Sequence, residues 1–189
     1  MSLARVTPSI VKDFSTALAM TGSWANPRKK MDDFRIAVAR EPAQIARCFE
    51  VMRELRPHFT DRKKFVEQVR RQQHDGYELA FIEAGGEFRA VAGYRFLESL
   101  YSGRFMYVDD LVTRARDRSA GYGGKLFDWL VQAARENKCD NFELDSGVQR
   151  FDAHRFYFAK RMKIASYHFS IAVAGAAAPR KTKDEKRKS

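Results

Sequence analysis

The sequence predicts an α/β domain built on a mixed sheet, and three observations carry that prediction. Two apolar runs, Tyr77 to Glu83 and Phe88 to Leu97, are joined by Ala84-Gly85-Gly86-Glu87, a strong hairpin signal. A third run, Arg104 to Thr113, leads through a basic turn containing glycines into an amphipathic stretch at helical spacing, Gly124 to Asn137. Beyond that stretch, strand-like and helix-like segments continue to alternate, which is the order of an α/β chain.

The remaining elements follow from local signals. A strand is expected over Phe34 to Arg40, then a helix from Pro42 to Arg56 that Pro57 stops, then a helix from Asp61 to Gln73 with Asp61 as its N-cap. After the Gly124 to Asn137 helix come a strand Asn141 to Asp145, a helix Asp152 to Lys163 and a last strand Tyr167 to Val173. Residues 1–33 form an arm in which Thr7 and Pro8 open a short amphipathic helix with Ile10, Val11, Phe14, Ala17 and Leu18 on one face. The domain runs over 34–175, and 176–189 form a basic tail with the composition of a disordered segment. No internal repeat is evident.

Composition narrows the class. A chain of 189 residues with 44% hydrophobic content and 15 Phe is one ordinary domain with enough apolar mass for a core. Cys48 and Cys139 lie far apart, with no disulfide framework and no metal-ligand spacing, so no metal is expected and a reducing cytoplasm is the default location. No apolar run approaches the ~20 residues that span a bilayer. The net charge of +11 raises the question of nucleic acid, but Arg180 to Ser189 alone hold six Lys or Arg against two acids, and basic ends are more often solvated than specific.

The segment Arg116 to Leu130 (RDRSAGYGGKLFDWL) carries the most chemistry. It follows a strand and opens a helix, and a helix N-terminus presents unpartnered N–H groups and a positive dipole end, which suits a pyrophosphate. Gly121, Gly123 and Gly124 keep Cβ atoms out of the way. A P-loop is excluded, because Gly124-Lys125 is followed by Leu126 where a magnesium-binding hydroxyl must stand. The dinucleotide pattern Gly-x-Gly-x-x-Gly also fails, at Leu126.

Arg118-Ser119-Ala120-Gly121-Tyr122-Gly123 resembles the Gln/Arg-x-x-Gly-x-Gly/Ala motif of the GNAT superfamily, the GCN5-related N-acetyltransferases. Leu111-Val112-Thr113 is similar to that family's Leu-x-Val strand end, and Ala153 to Tyr157 to its Ala-x-x-x-Tyr segment. The likeness covers roughly 34–173 and is firmest over 104–162. It implies a mixed, largely antiparallel twisted sheet flanked by helices. It also implies transfer of an acetyl group from acetyl-coenzyme A to a primary amine by direct attack in a ternary complex. The alternative is a non-catalytic module that keeps the fold and binds coenzyme A or associates with nucleic acid.

By that resemblance, Leu111, Val112 and Thr113 bind the pantetheine arm through their main chain. Arg118, Ser119, Ala120, Gly121, Tyr122, Gly123 and Gly124 hold the diphosphate, with Arg114, Arg116 and Lys125 close enough to add charge. Tyr157 is the expected general acid, because a phenol with a reference pKa of ~10 keeps a proton for a leaving thiolate. Asp110 is the candidate base. Adjacent strand residues face opposite sides, so Asp109 and Asp110 share the cleft only if a bulge intervenes, as the family likeness suggests. Glu83, Glu143, Asp145 and His154 are further titratable candidates, for which a surface role is the more ordinary reading. The chain departs from the family pattern at Arg150, where asparagine is usual, and at Met162-Lys163, where Gly-Phe is usual. The acceptor is an unidentified amine, a homodimer is suggested by the family and the arm, and neither nucleic acid nor membrane is an expected partner.

Overall fold

The computed structural model describes residues 33–173, which fall into two compact units divided after Leu144. The arm helix and the basic tail lie outside the described residues.

The first unit is a five-stranded sheet in sequential order, β1 (Phe34–Val38), β2 (Tyr77–Ala84), β3 (Glu87–Ser99), β4 (Gly103–Thr113) and β5 (Asn141–Leu144). The first four pair antiparallel, and β4 with β5 is parallel because a helix crosses over between them. Helices α1 (Pro42–Leu55) and α2 (Arg62–His74) follow β1, and α3 (Tyr122–Glu136) follows β4. Gln44 reaches back to the N–H of Glu41 at 3.1 Å in a capping box at α1, and the Asp61 carboxylate accepts from the N–H groups of Lys63 and Lys64 at α2.

Two apolar layers cover the two sheet faces. Ile45, Cys48, Phe49 and Met52 of α1 and Phe65 and Val69 of α2 pack on Leu79, Phe81, Val91 and Val112. Leu126, Leu130, Ala133 and Ala134 of α3 pack on Ala80, Ala92, Met106 and Val108. Truncating a fully buried leucine such as Leu126 or Leu130 to Ala is a change that costs about 2–5 kcal/mol in packed cores.

One irregularity decides what β4 can do. Gly93 stands opposite Asp110 but Tyr94 opposite Val108, so Asp109 is an extra residue in the ladder, a β-bulge. A strand alternates faces with period two, and one inserted residue reverses that parity. Met106 and Val108 therefore join the α3 layer, whereas Val112 joins the α1/α2 layer. The bulge expected from the family likeness is present.

The second unit begins at Asp145 and contains α4 (Phe151–Ala159). Tyr167–Val173 alternates as a strand would, but it forms no ladder, and Tyr167, Phe169, Ile171 and Val173 are exposed. Alternation records which side chains would share a face, whereas a strand also requires a hydrogen-bonding neighbour.

Candidate active site

The register of β4 with β5 ends at Val108 opposite Leu144, and from Asp109 to Thr113 β4 pairs with β3 alone. Its other edge presents main-chain groups with no ladder partner among the described residues, which an extended amide chain can match. Leu111 packs against the α3 layer and Val112 is buried under α1 and α2, so the side chains are core and only the backbone faces that edge.

Past Thr113 the chain makes a 3-10 turn, Ala115–Asp117, and enters α3 at Gly121. Gly121 is the N-cap at φ +90°, a left-handed conformation that other residues adopt only at a cost. At Gly123 a Cβ would lie 2.7 Å from Thr113 Oγ1, so this glycine lets the helix start sit against the strand end. The first bond of α3 runs from Lys125 N–H to Gly121 O at 3.1 Å, and the donors of Tyr122 and Gly123 precede it, with no intrahelical acceptor. The Tyr122 side chain itself is buried in the α3 layer. Not every N–H of the motif is available to a ligand: Arg118 donates to Ala115 O and Ala120 to Asp117 O within the turn, and Ser119 takes φ +64° between them.

The basic residues of this turn divide by role. Arg114 is only 14% exposed and is tied to Asp117 and Glu87, while Arg89 bonds Asp117 at 3.2 Å and Glu87 at 3.1 Å. Burial alone would lower the Arg114 pKa, but its hydrogen bonds to Asp117 and Glu87 outweigh this and raise it. Arg116 reaches Glu87 at 2.6 Å. Arg114 and Arg116 thus anchor the turn to the β2–β3 hairpin. The Arg118 guanidinium is exposed, with Glu54 of α1 at 3.6 Å, and Lys125 is exposed.

On the α1/α2 face, a cleft of about 270 Å³ opens beside the bulge, lined by Met52, Arg56, His58, Phe59, Phe65, Gln68, Val69, Gln72, Tyr77, Asp109 and Asp110. Arg56 Nε donates to Asp110 Oδ1 at 2.7 Å and its Nη2 to Asp109 O at 3.0 Å. Arg95 Nε donates to Asp109 Oδ2 at 2.9 Å. Tyr77 crosses Gly93 to reach the same place: a Cβ on Gly93 would lie 1.9 Å from the Tyr77 hydroxyl, which donates to Asp110 Oδ2 at 3.4 Å. Burial, then the charges of Asp110 and Asp109, push that hydroxyl well above the usual phenol range, so it stays a donor.

The structure brings Asp109 and Asp110 into one cleft. Other candidates are engaged elsewhere. Burial alone would raise the Glu83 carboxyl, but hydrogen bonds from Arg47 and Arg35 outweigh it and hold it below its usual value. Glu143 accepts from Ser102 Oγ at 2.7 Å, and Asp145 lies 2.8 Å from His168 Nδ1. In the second unit, Arg150 is the N-cap of α4 and Tyr157 lies within that helix, its ring 5.5 Å from Phe156. Burial raises the Tyr157 hydroxyl above its usual value against an opposing effect of Arg150. Cys48 is buried, which pushes its thiol up against the opposing charge of Arg47, as suits a core thiol rather than a nucleophile. No group of three or more metal-ligating side chains occurs among the described residues.

Arg56, Tyr77, Gly93 and Arg95 escaped the sequence reading. A glycine inside a strand pattern signals a bulge or a close approach, and Gly93 was the available clue.

A strand with an open edge, a glycine turn at a helix N-terminus and a polar cleft beside a bulge thus follow one another along β4 and the turn after it. Residues 44–162 match the family model described as Acetyltransferase (GNAT) family. The chain belongs to this family and is an acetyltransferase. A Bacillus subtilis (strain 168) protein described as "Uncharacterized N-acetyltransferase YhdJ" is 35% identical over 126 residues, covering 66% of this chain and 88% of that protein. Similar solved structures include a ribosomal-protein-alanine N-acetyltransferase from Brucella melitensis biovar Abortus 2308, with TM-score 0.65 at 15% identity over 75% of this chain and 100% of that one. A GNAT family acetyltransferase from Staphylococcus aureus has TM-score 0.63 at 13% identity over 74% and 98%. These two structures establish the likeness of fold.

Proposed function

We propose that this acetyltransferase takes its acetyl group from acetyl-coenzyme A and passes it to a primary amine by direct attack in a ternary complex. The observation that carries the reading is the continuity of β4. One strand offers a backbone edge at Leu111–Thr113 that is unpaired among the described residues, leads to a helix N-terminus built on Gly121, and holds two carboxylates in a cleft at its bulge.

In this reading the donors of Gly121, Tyr122 and Gly123 face the diphosphate with the help of the α3 dipole, Gly124 keeps a Cβ out of the way, Ser119 and Ala120 shape the approach, and Arg118 adds an exposed guanidinium. The thioester supplies an activated acyl carbon and a thiolate leaving group. The amine nitrogen bonds to that carbon, the carbon–sulfur bond breaks, the nitrogen loses a proton, and the thiolate gains one. Asp110 takes the amine proton, directly or through water, and Tyr157, whose raised pKa keeps its phenol protonated, donates to the thiolate. Neither cysteine is needed, so no acyl-enzyme forms.

Two free cysteines fit a reducing cytoplasm, and no helix among the described residues is long and apolar enough to cross a membrane. A homodimer belongs to the same reading by family likeness.

Calorimetric titration with acetyl-coenzyme A, with coenzyme A and ATP as comparisons, tests the reading, followed by thiol release with a panel of amines. Saturable acetyl-coenzyme A binding and amine-dependent thiol release are the expected results. Absence of binding would leave the fold without this function.

A further inference from the structure

This inference rests on the reading above, that the cleft beside the β4 bulge receives the amine. We propose that the acceptor is a small amine carrying its own oxyanion, a carboxylate or a phosphate monoester, within a few bonds of the nitrogen, and that Arg56 clamps this oxyanion.

Size first limits the part of the acceptor that enters the cleft. The cleft, at about 270 Å³, falls below the ~300–1,000 Å³ of sites that enclose drug-sized ligands. It suits a group the size of one amino acid.

Charge limits it further. An ammonium-rich acceptor needs carboxylates that are not already neutralised, but Asp110 is bonded by Arg56 at 2.7 Å and Asp109 by Arg95 at 2.9 Å. The cleft therefore presents anion and cation side by side. Such a pair complements a molecule that itself joins a cation to an anion, with the ammonium beside Asp110 and the oxyanion on Arg56.

Arg56 has the geometry for its half. A guanidinium carries five N–H donors. One on Nε goes to Asp110 Oδ1 and one on Nη2 to Asp109 O, which occupies its side-on edge. The Nη1 and remaining Nη2 donors have no protein acceptor among the described residues, and together they make the end-on fork that grips a carboxylate or phosphate with two parallel bonds. Arg56 is 44% exposed and lines the cleft, so a ligand can reach the fork.

The rim adds to this. Phe65, Gln68, Val69 and Gln72 of α2 line the cleft at helical i, i+3, i+4, i+7 spacing, and the two amides offer neutral donors. Lys64 and Arg71 stand one turn before and after Gln68 on the same side of the helix. Both are exposed, and neither has a carboxylate within 4.0 Å among the described residues. Glu67, three residues after Lys64 and four before Arg71, lies on the same flank and offsets part of their charge.

The test pairs substrates with variants. Calorimetry with acetyl-coenzyme A comes first and decides the underlying reading by itself. Thiol release is then measured with free α-amino acids, their methyl esters, aminoalkyl phosphates, polyamines and a short peptide, on the wild type, Arg56→Lys and Arg56→Met. The proposal expects kcat/KM for an acid or phosphate to exceed its neutral counterpart by about tenfold or more. It expects that ratio to fall toward one in Arg56→Met, the acid losing more activity than the neutral ester. The amino acid and phosphate arms show which oxyanion is used. If Arg56 serves only to hold Asp110, acid and ester lose activity in equal proportion and the ratio stands, which overturns the clamp. Equal or better turnover of polyamines, esters or the peptide also overturns it. Should acetyl-coenzyme A fail to bind, the same acids and esters are titrated against the protein alone. An Arg56-dependent preference for the acids then supports the clamp without the transferase reading, and its absence removes both.

Discussion

Replacing Gly93 with Ala should strike the packing of the cleft. The added Cβ would lie 1.9 Å from the Tyr77 hydroxyl, 2.5 Å from Cζ and 2.7 Å from Cε2. These atoms belong to a ring that is 4% exposed, so Tyr77 must move by more than an ångström through a packed layer. Overpacking of this kind costs about 1–3 kcal/mol, which for a chain of this size lowers Tm by about 2–12 °C. Because the Tyr77 hydroxyl also bonds Asp110, the displacement should raise the KM of the acceptor. Coenzyme affinity should stay within about twofold, since α3 lies on the opposite sheet face. Differential scanning calorimetry and acetyl-coenzyme A titration read the two effects. Tyr77→Leu removes the ring, so the double variant should lose less than the sum of the single losses. A Gly93→Ala protein with unchanged Tm, or a strictly additive double variant, would refute the assigned contact.

Three further outcomes follow from the same geometry. Gly121→Glu places a side chain at φ +90° and an acid facing the diphosphate, and should abolish acetyl-coenzyme A binding by calorimetry while the circular dichroism spectrum stays folded. Tyr157→Phe should lower kcat by about 10- to 100-fold with coenzyme affinity retained, measured by steady-state thiol release. Glu83 has a folded pKa below the ordinary 4.5, so its stabilising contribution is present above that value and is lost as pH falls through the folded pKa. Urea midpoints between about pH 3 and 7 should show this acid limb, and Arg47→Gln should flatten it.

The parts of this protein written in contiguous residues could be read from the sequence. The turn from Arg118 to Gly124 has its strand, cap and helix within one short stretch, so spacing alone places it. The helices of residues 42–55 and 62–74 carry their own caps and apolar stripes. The cleft depends on pairs such as Arg56 with Asp110 and Tyr77 with Gly93, which meet only after the β2–β3–β4 register is set. Arg114 and Arg116 are close enough in sequence to add charge to the glycine turn, whereas Glu87, the residue that engages both, sits on another strand. Tyr167–Val173 has the alternation of a strand, but pattern carries no information on whether an edge is there to receive it.

The ionic tie between Glu87, Arg89, Arg114 and Asp117 makes one lever of two loops. Glu87 begins β3 at the hairpin turn, and Asp117 lies in the bend that opens onto α3, so a shift of either end is transmitted to the other. A donor that settled on the α3 N-terminus would meet a surface already fixed, with little loop entropy left to lose on binding. Salt would then weaken binding twice over, by screening the diphosphate and by slackening the tie that holds its seat in shape.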